Sequence, residues 1–363
     1  MRSRTNSGWS RRSFLRWLAG MGLATILPAC RDTRIQPSPA TTPQGVVPTT
    51  RFKRTPPWRI GRAGLGDLSS WWIMLSAHTE YGIKERHSDV FREYLSTSAN
   101  WDADKQALDI ERLASAGLDL LLVEPLNSPL VASAVSRVQK LGLPVILVSG
   151  NLAGADYVSW VTTDEEERGR ASASWLTRRV TGGRVIVLQS EPAQGDGQAW
   201  LEGVRDGLAA APGLDIEYAT SFWTVADSRR LVELALDRDP ALAGLVVNHG
   251  TVAQGAVEAL VERGLTIPPV AGADDNNGWL RTAREHRVSF LGFGGSSRLG
   301  LRSVELAVDV LSGNSVPVRC QQVQEVFDET AIEQLYRPEL TDHYWANHEL
   351  QETWIQAMFG RPG

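Results

Sequence analysis

The stretch "LDLLLVEPLNSPLVASAVSRVQKLGLPVILVSG", Leu118–Gly150, decides the fold class. It holds two near-continuous apolar runs, Leu118–Pro125 and Leu143–Gly150, with Ser128–Gly142 between them. Runs this short and this rich in Leu, Val and Ile predict strands covered on both faces. In the middle segment Val131, Ala134, Val135 and Val138 recur at helical spacing, and Gly142 supplies a stop. Strand, helix and strand of these lengths make a βαβ unit, whose two strands lie parallel in one sheet.

The same pattern extends outward. Strands are predicted at Arg59–Ala63, Gly183–Ser190, Leu242–Gly250 and Ile267–Asp275. Helical spacing covers Asp102–Gly117, Glu165–Val180, Asp227–Pro240 and Thr251–Gly264. These are more βαβ units than one compact domain holds, so 363 residues predict two α/β lobes. In open parallel sheets ligands collect outside the carboxyl ends of the strands. That rule selects Ser149, Gly150 and Asn151, the segment Ser190–Gln198, Asn248 with His249, and Asp274–Asn277. Trp71 and Trp72 lie at the same kind of edge after the opening strand, as does Trp223 ahead of Asp227.

Before this body lies "SRRSFLRWLAGMGLATILPAC", Ser10–Cys30. Its apolar run Trp17–Leu27 has 11 residues, against about 20 for a bilayer span, so it predicts a cleaved export signal and not an anchor helix. Arg11 and Arg12 sit in a twin-arginine pattern, and Leu27-Pro28-Ala29-Cys30 resembles a lipobox in which Cys30 carries the lipid. Residues 1–29 are thus expected as the signal. Residues 30–57, rich in Pro, Thr, Ser and Gln, are expected as lipidated cysteine and flexible tether. Cys320, the other cysteine, is expected as a buried thiol with no disulfide. A net charge of -5, without a basic block beyond the signal and its flank, gives no footprint for nucleic acid.

Taken in order, these residues resemble the type I periplasmic solute-binding proteins, specifically the ribose-binding-like sugar receptors of ABC importers. The matching stretches are Ser69-Ser70-Trp71-Trp72, Leu120–Val135, Pro144–Gly150, Ala199–Leu208, Val246–Leu260 and Val270–Asn276. The resemblance spans Trp58 to Gln324 and implies two Rossmann-like lobes with parallel sheets, joined by a three-segment hinge. The implied division is residues 58–163 plus 295–322 for the N-terminal lobe, and 164–294 plus 323–363 for the C-terminal lobe and tail. It implies hinge closure on a small ligand, delivery to an ABC permease, a monomer, and no cofactor or metal. Trp71, Trp72 and Trp223 are the expected platforms for a sugar face, with Ser70, Ser149, Asn151, Gln198, His249 and Asp274 as polar partners.

The chain also departs from the ribose pattern. Ser149-Gly150 replaces Asp-Arg, Gln198 replaces an arginine, His249-Gly250 replaces Asn-Asp, and Gly294 replaces a glutamine. The thinned polar clamp leaves open a quaternary ammonium ligand held by the indoles against Asp274. A sensor presenting its ligand to a membrane receptor kinase is the other alternative.

Enzyme patterns are absent. "GFGGSSRLG", Gly292–Gly300, fits neither phosphate-loop spacing, and no GxSxG or HExxH occurs. His343 and His348 are five apart and fall on different helical faces, and "DDNNGWLRTARE" lacks several oxygen ligands of a calcium loop. A sugar-responsive repressor would need a helix-turn-helix, which residues 2–57 do not contain. The tail after Val326, with Tyr344, Trp345, Trp354, Ile355 and Phe359, is expected to pack on one lobe.

Overall fold

A computed structural model describes residues 45–67, 69–190 and 196–361. Arg11, Arg12 and Cys30 lie outside the described residues. The chain begins with β1 (Val46–Val47), β2 (Trp58–Gly64), α1 (Ser70–Tyr81), β3 (Phe91–Ser98), α2 (Ala103–Ala114) and β4 (Leu120–Val123). It continues through α3 (Pro129–Lys140), β5 (Val145–Val148), β6 (Ser159–Thr162), α4 (Glu165–Thr177), β7 (Gly183–Ser190) and α5 (Asp196–Leu208). Next come β8 (Leu214–Ser221), α6 (Val225–Arg238), β9 (Gly244–Val247), α7 (Gly250–Glu262), β10 (Val270–Asp274) and α8 (Asn277–His286). The last are β11 (Phe290–Gly294), α9 (Leu299–Ser312), β12 (Val316–Pro317), β13 (Arg319–Gln321), β14 (Glu325–Asp328), α10 (Ile332–Leu335) and α11 (Glu352–Phe359).

Two six-stranded sheets result, ordered β13-β6-β5-β4-β2-β3 and β14-β11-β10-β9-β7-β8. The first is parallel throughout, and the second is parallel except where β14 closes its edge against β11. The double-sided burial inferred from the apolar runs has a direct structural counterpart. Leu120 and Leu122 face a core with Ile146, Val304 and Val310, while Leu121 and Val123 face the opposite core with Ile110, Val131 and Val135. In the second lobe Ile186 and Leu188 pack toward Val252 and Trp279, and Val185 and Val187 toward Leu176 and Trp200. Buried side chains of this size each stabilise the fold by about 1.5–3 kcal/mol.

The chain passes between the sheets three times: from β6 into α4, from β11 through Gly295 into α9, and from β13 into β14. Gly295 takes φ +79°, a left-handed turn suited to glycine. At the first and third passages Gln321 Nε2 donates to Asp164 Oδ2 at 2.9 Å, and at the second and third Arg298 pairs with Glu325 at 2.8 Å.

Two expectations need correction. The tether does not run to Pro57, because β1 pairs with β12, Thr49 Oγ1 donates to Asn314 O, and Phe52 sits 3% exposed in the N-terminal core. Pro, Thr and Arg dominate the text of this stretch, but a two-residue strand and one anchored aromatic suffice to fix it. The tail also does not pack on one lobe. Tyr344, Trp345, Trp354, Ile355 and Phe359 bury against Met74 and Ala77 of the N-terminal α1, while the same tail bridges to Asn276 at the start of α8 in the C-terminal lobe. Cys320 is a free, buried thiol, and Arg302 Nε reaches its sulfur at 3.3 Å.

Candidate functional site

Five rings and one carboxylate form a continuous row across the carboxyl edges of both sheets. Trp71 and Trp72 meet edge to face with centroids 4.7 Å apart, and Trp72 meets Trp101 at 5.9 Å. Trp101 faces Trp223 at 6.2 Å and 44°. Trp223 then meets His249 at 6.4 Å, and His249 Nδ1 lies 2.9 Å from Asp274 Oδ2. Trp71, Trp72 and Trp101 belong to the N-terminal lobe and the rest to the C-terminal lobe, so the Trp101–Trp223 contact joins the two.

Local sequence explains why both tryptophans stand where they do. Each directly precedes a helix N-cap: Asp102 accepts from Lys105 N, and Thr224 accepts from Asp227 N. Each also adopts a left-handed backbone, φ +64° at Trp101 and +56° at Trp223. Such a conformation in a bulky residue costs on the order of 1–3 kcal/mol and persists only where neighbours enforce it. Leu65 O accepts from Trp101 N at 3.1 Å, and Trp223 O accepts from Thr251 Oγ1 at 3.0 Å.

The N-terminal lobe also holds a buried ion pair. Arg62 Nε and Nη2 donate to the two Glu124 oxygens at 2.6 and 2.9 Å, with both side chains 2% exposed. The carboxylate raises the guanidinium above its ordinary value despite burial. Glu124 Oε2 also accepts from Leu65 N at 3.2 Å, and Gln106 bridges Glu124 O to Leu126 N. The pair therefore fixes Leu65, and Leu65 in turn holds the Trp101 backbone. In the other lobe the buried Arg168 plays a comparable part, its Nη2 donating to Asn248 O and Gly272 O below His249.

Asp274 is 3% exposed, and its Oδ1 accepts from Gly250 N at 2.8 Å, capping α7 at the positive end of its dipole. A carboxylate only accepts, so His249 donates through Nδ1 and turns its Nε2 edge outward on a side chain 28% exposed. Trp72 is 6% exposed and props Trp71 and Trp101, while Trp71 donates its Nε1 to Ser296 Oγ at 2.8 Å. Ser70 Oγ accepts from Trp345 Nε1 at 3.0 Å. Ser149, Asn151 and Gln198 are not drawn into the row. Ser149, at φ +67°, accepts at its carbonyl from Trp160; Asn151 Oδ1 accepts from Leu152 N; and the exposed Gln198 donates to Glu202.

A profile of the periplasmic binding protein domain matches residues 70–315, which takes in most of both lobes. The chain belongs to this family. Among the relatives of this periplasmic binding protein, the ribose import binding protein of Bacillus subtilis is 23% identical over 252 residues, 65% of this chain and 77% of the relative. The xylitol-binding protein of Mycolicibacterium smegmatis is 26% identical over 186 residues, 50% of this chain and 53% of the relative. An ABC transporter solute-binding protein of Mycobacterium smegmatis with bound glycerol superposes with TM-score 0.69 at 18% identity, covering 77% of this chain and 97% of that one. A second, from Bacillus halodurans C-125 with bound myo-inositol, gives TM-score 0.68 at 20% identity, covering 77% and 98%.

Sequence reading missed Trp101, Arg62 and Glu124. Trp101 follows β3, whose text "FREYLSTS" is polar because the strand is an edge strand and half exposed. Its placement after a Ser-Ala-Asn turn and before the Asp102 cap was the available signal.

Asp275, the neighbour of Asp274, is pushed up to about 7, first by burial and next by the Asp274 charge. The folded protein thus holds a proton that the unfolded chain releases near pH 4, and the stability this confers is lost as pH rises from about 4 to about 7. His78 and His348 act oppositely. Burial lowers them to about 3 and about 4, so their contribution is complete above pH 6.5 and is lost as pH falls. Urea midpoints between pH 4.5 and 7.5 are expected to shift in favour of an Asp275→Asn variant as pH rises. A difference that stays constant with pH would show that Asp275 is not the group responsible.

Proposed function

We propose that this periplasmic binding protein takes up a small polyhydroxy compound, a pentose, a sugar alcohol or a cyclitol, between its lobes and delivers it to an ABC importer. The observation that carries this reading is the row of indoles ending on His249 and Asp274 at the sheets' carboxyl edges. A sugar has an apolar C–H face and a rim of hydroxyls. Indole surfaces suit the face, and the His249 Nε2 edge, oriented by Asp274, suits the rim. The relatives named for ribose and xylitol, and the structures holding glycerol and myo-inositol, support the same class. Closure is by rotation of the lobes about the three chain passages, with Trp101 and Trp223 meeting as they close. In this reading Arg11 and Arg12 route the chain for export and acyl chains on Cys30 hold it at the extracytoplasmic face.

The test is thermal unfolding in the presence of ribose, xylose, xylitol, glycerol, myo-inositol, choline and glycine betaine. A ligand at 100 times its dissociation constant adds about 2.7 kcal/mol, visible as a shift of several degrees. At least one polyhydroxy compound is expected to shift the midpoint. A response to the quaternary ammonium compounds alone would replace this reading with the cation cage, and no response to any would reject it.

A further inference from the structure

We propose that the C-terminal segment, residues 337–359, is a strap that limits how far the two lobes part. The inference concerns the ligand-free protein and does not depend on which ligand binds.

The strap grips each lobe by different chemistry. On the C-terminal lobe the grip, at the turn from β10 into α8, is made of hydrogen bonds from backbone N–H groups, three to carbonyls and one to a carboxylate. Asn277 N donates to Tyr344 O at 2.8 Å, Gly278 N to Asp342 O at 3.1 Å, Ala346 N to Asp275 O at 3.1 Å and Asn347 N to Asp275 Oδ2 at 2.7 Å. The Asn277 amide adds bonds to three strap carbonyls, those of Arg337, Leu340 and Thr341. On the N-terminal lobe the grip is apolar. Met74 and Ala77 of α1 bury into Trp345, Leu350, Trp354 and Phe359, and Tyr81 meets Trp354 at 5.9 Å. Three polar contacts flank this cluster: Trp345 Nε1 to Ser70 Oγ, Glu349 N to His78 Nε2, and the Arg86–Glu349 pair at 2.7 Å. His78 Nδ1 faces Met74 O, so Nδ1 donates and Nε2 is free to accept from the strap.

Both grips adjoin the row of rings. Ser70 precedes Trp71, and Asp275 follows Asp274 while also accepting from Gly295 N at a chain passage. Opening the lobes widely would break one grip, exposing buried tryptophan surface or stranding the buried Asp275 and Asn277 groups. Both are costly, so the strap biases the ligand-free protein toward a narrow opening.

The experiment measures distances between spin labels at Leu141→Cys on the N-terminal lobe and Leu234→Cys on the C-terminal lobe. Both positions are exposed, and Cys30 and Cys320 are replaced by serine. Without ligand the intact strap is expected to give one narrow distance distribution. Trp345→Ala is expected to raise a longer-distance population on the order of 10-fold. Glu349→Arg, a charge reversal at an exposed pair that leaves the core untouched, should raise it by a smaller factor and guards against misfolding of the first variant. Identical distributions in the intact protein and Glu349→Arg, together with either identity or unfolding in Trp345→Ala, would overturn the proposal. So would a broad, open distribution in the intact protein.

Discussion

Glu124→Ala is expected to destabilise the N-terminal lobe by about 3–5 kcal/mol, because it leaves the Arg62 guanidinium buried without its counter-charge. Ser76 Oγ, at 2.6 Å from Nη2, remains as a neutral acceptor and cannot replace a bidentate carboxylate. The substitution also removes the acceptor of Leu65 N, so the backbone holding Trp101 loosens. Urea unfolding reads the loss. Replacing both partners by apolar residues, Arg62→Met with Glu124→Leu, should recover most of the stability, since no buried charge is then stranded. If the double replacement costs as much as the single one, charge is not what makes the position sensitive.

Asp274→Asn is expected to weaken ligand binding by about 10- to 150-fold, the equivalent of about 1.5–3 kcal/mol for a hydrogen bond to a charged group. The effect turns on the direction of one hydrogen bond. If the substituted side chain keeps its oxygen toward Gly250 N, its NH₂ group donates to His249 Nδ1. In a neutral imidazole the proton then sits on Nε2, and the edge presented to the ligand changes from acceptor to donor. Calorimetry with whichever polyhydroxy compound responds in the thermal screen measures the change. Binding within a factor of two of the unaltered protein would mean that His249 does not meet the ligand through Nε2.

The central strands were legible because burial on both faces writes an unbroken apolar run. β4, β5, β7, β9 and β10 all lie inside the runs read from the sequence. The edge strands β3 and β8 were not legible. Their outer positions are wetted, and "FREYLSTS" and "LDIEYATS" carry polar residues accordingly. The site divided along the same line. Trp71, Trp223, His249 and Asp274 follow elements whose ends could be read, and the structure brings them into one row. Trp101 follows an edge strand and was missed. Ser149, Asn151 and Gln198 were selected by the same edge rule, yet Asn151 and Gln198 bond locally and Ser149 meets Trp160 only through its carbonyl. Position at a strand end selects candidates, and the structure then separates those that join the row from those that stand apart from it. The tail's aromatics announced burial, but a sequence pattern cannot say that one segment serves two lobes.

The short pairing of Val46–Val47 with Val316–Pro317 shortens the leash on which the protein would swing. If acyl chains hold Cys30, the chain is pinned to the N-terminal lobe no later than Gly45, 15 residues on, where Gly45 O accepts from Val318 N. At about 3.3–3.6 Å per residue that gives a reach of about 50 Å, where a free segment as far as Trp58 would allow about 95 Å. On that premise the N-terminal lobe, which carries β1, is the end tied nearest the bilayer.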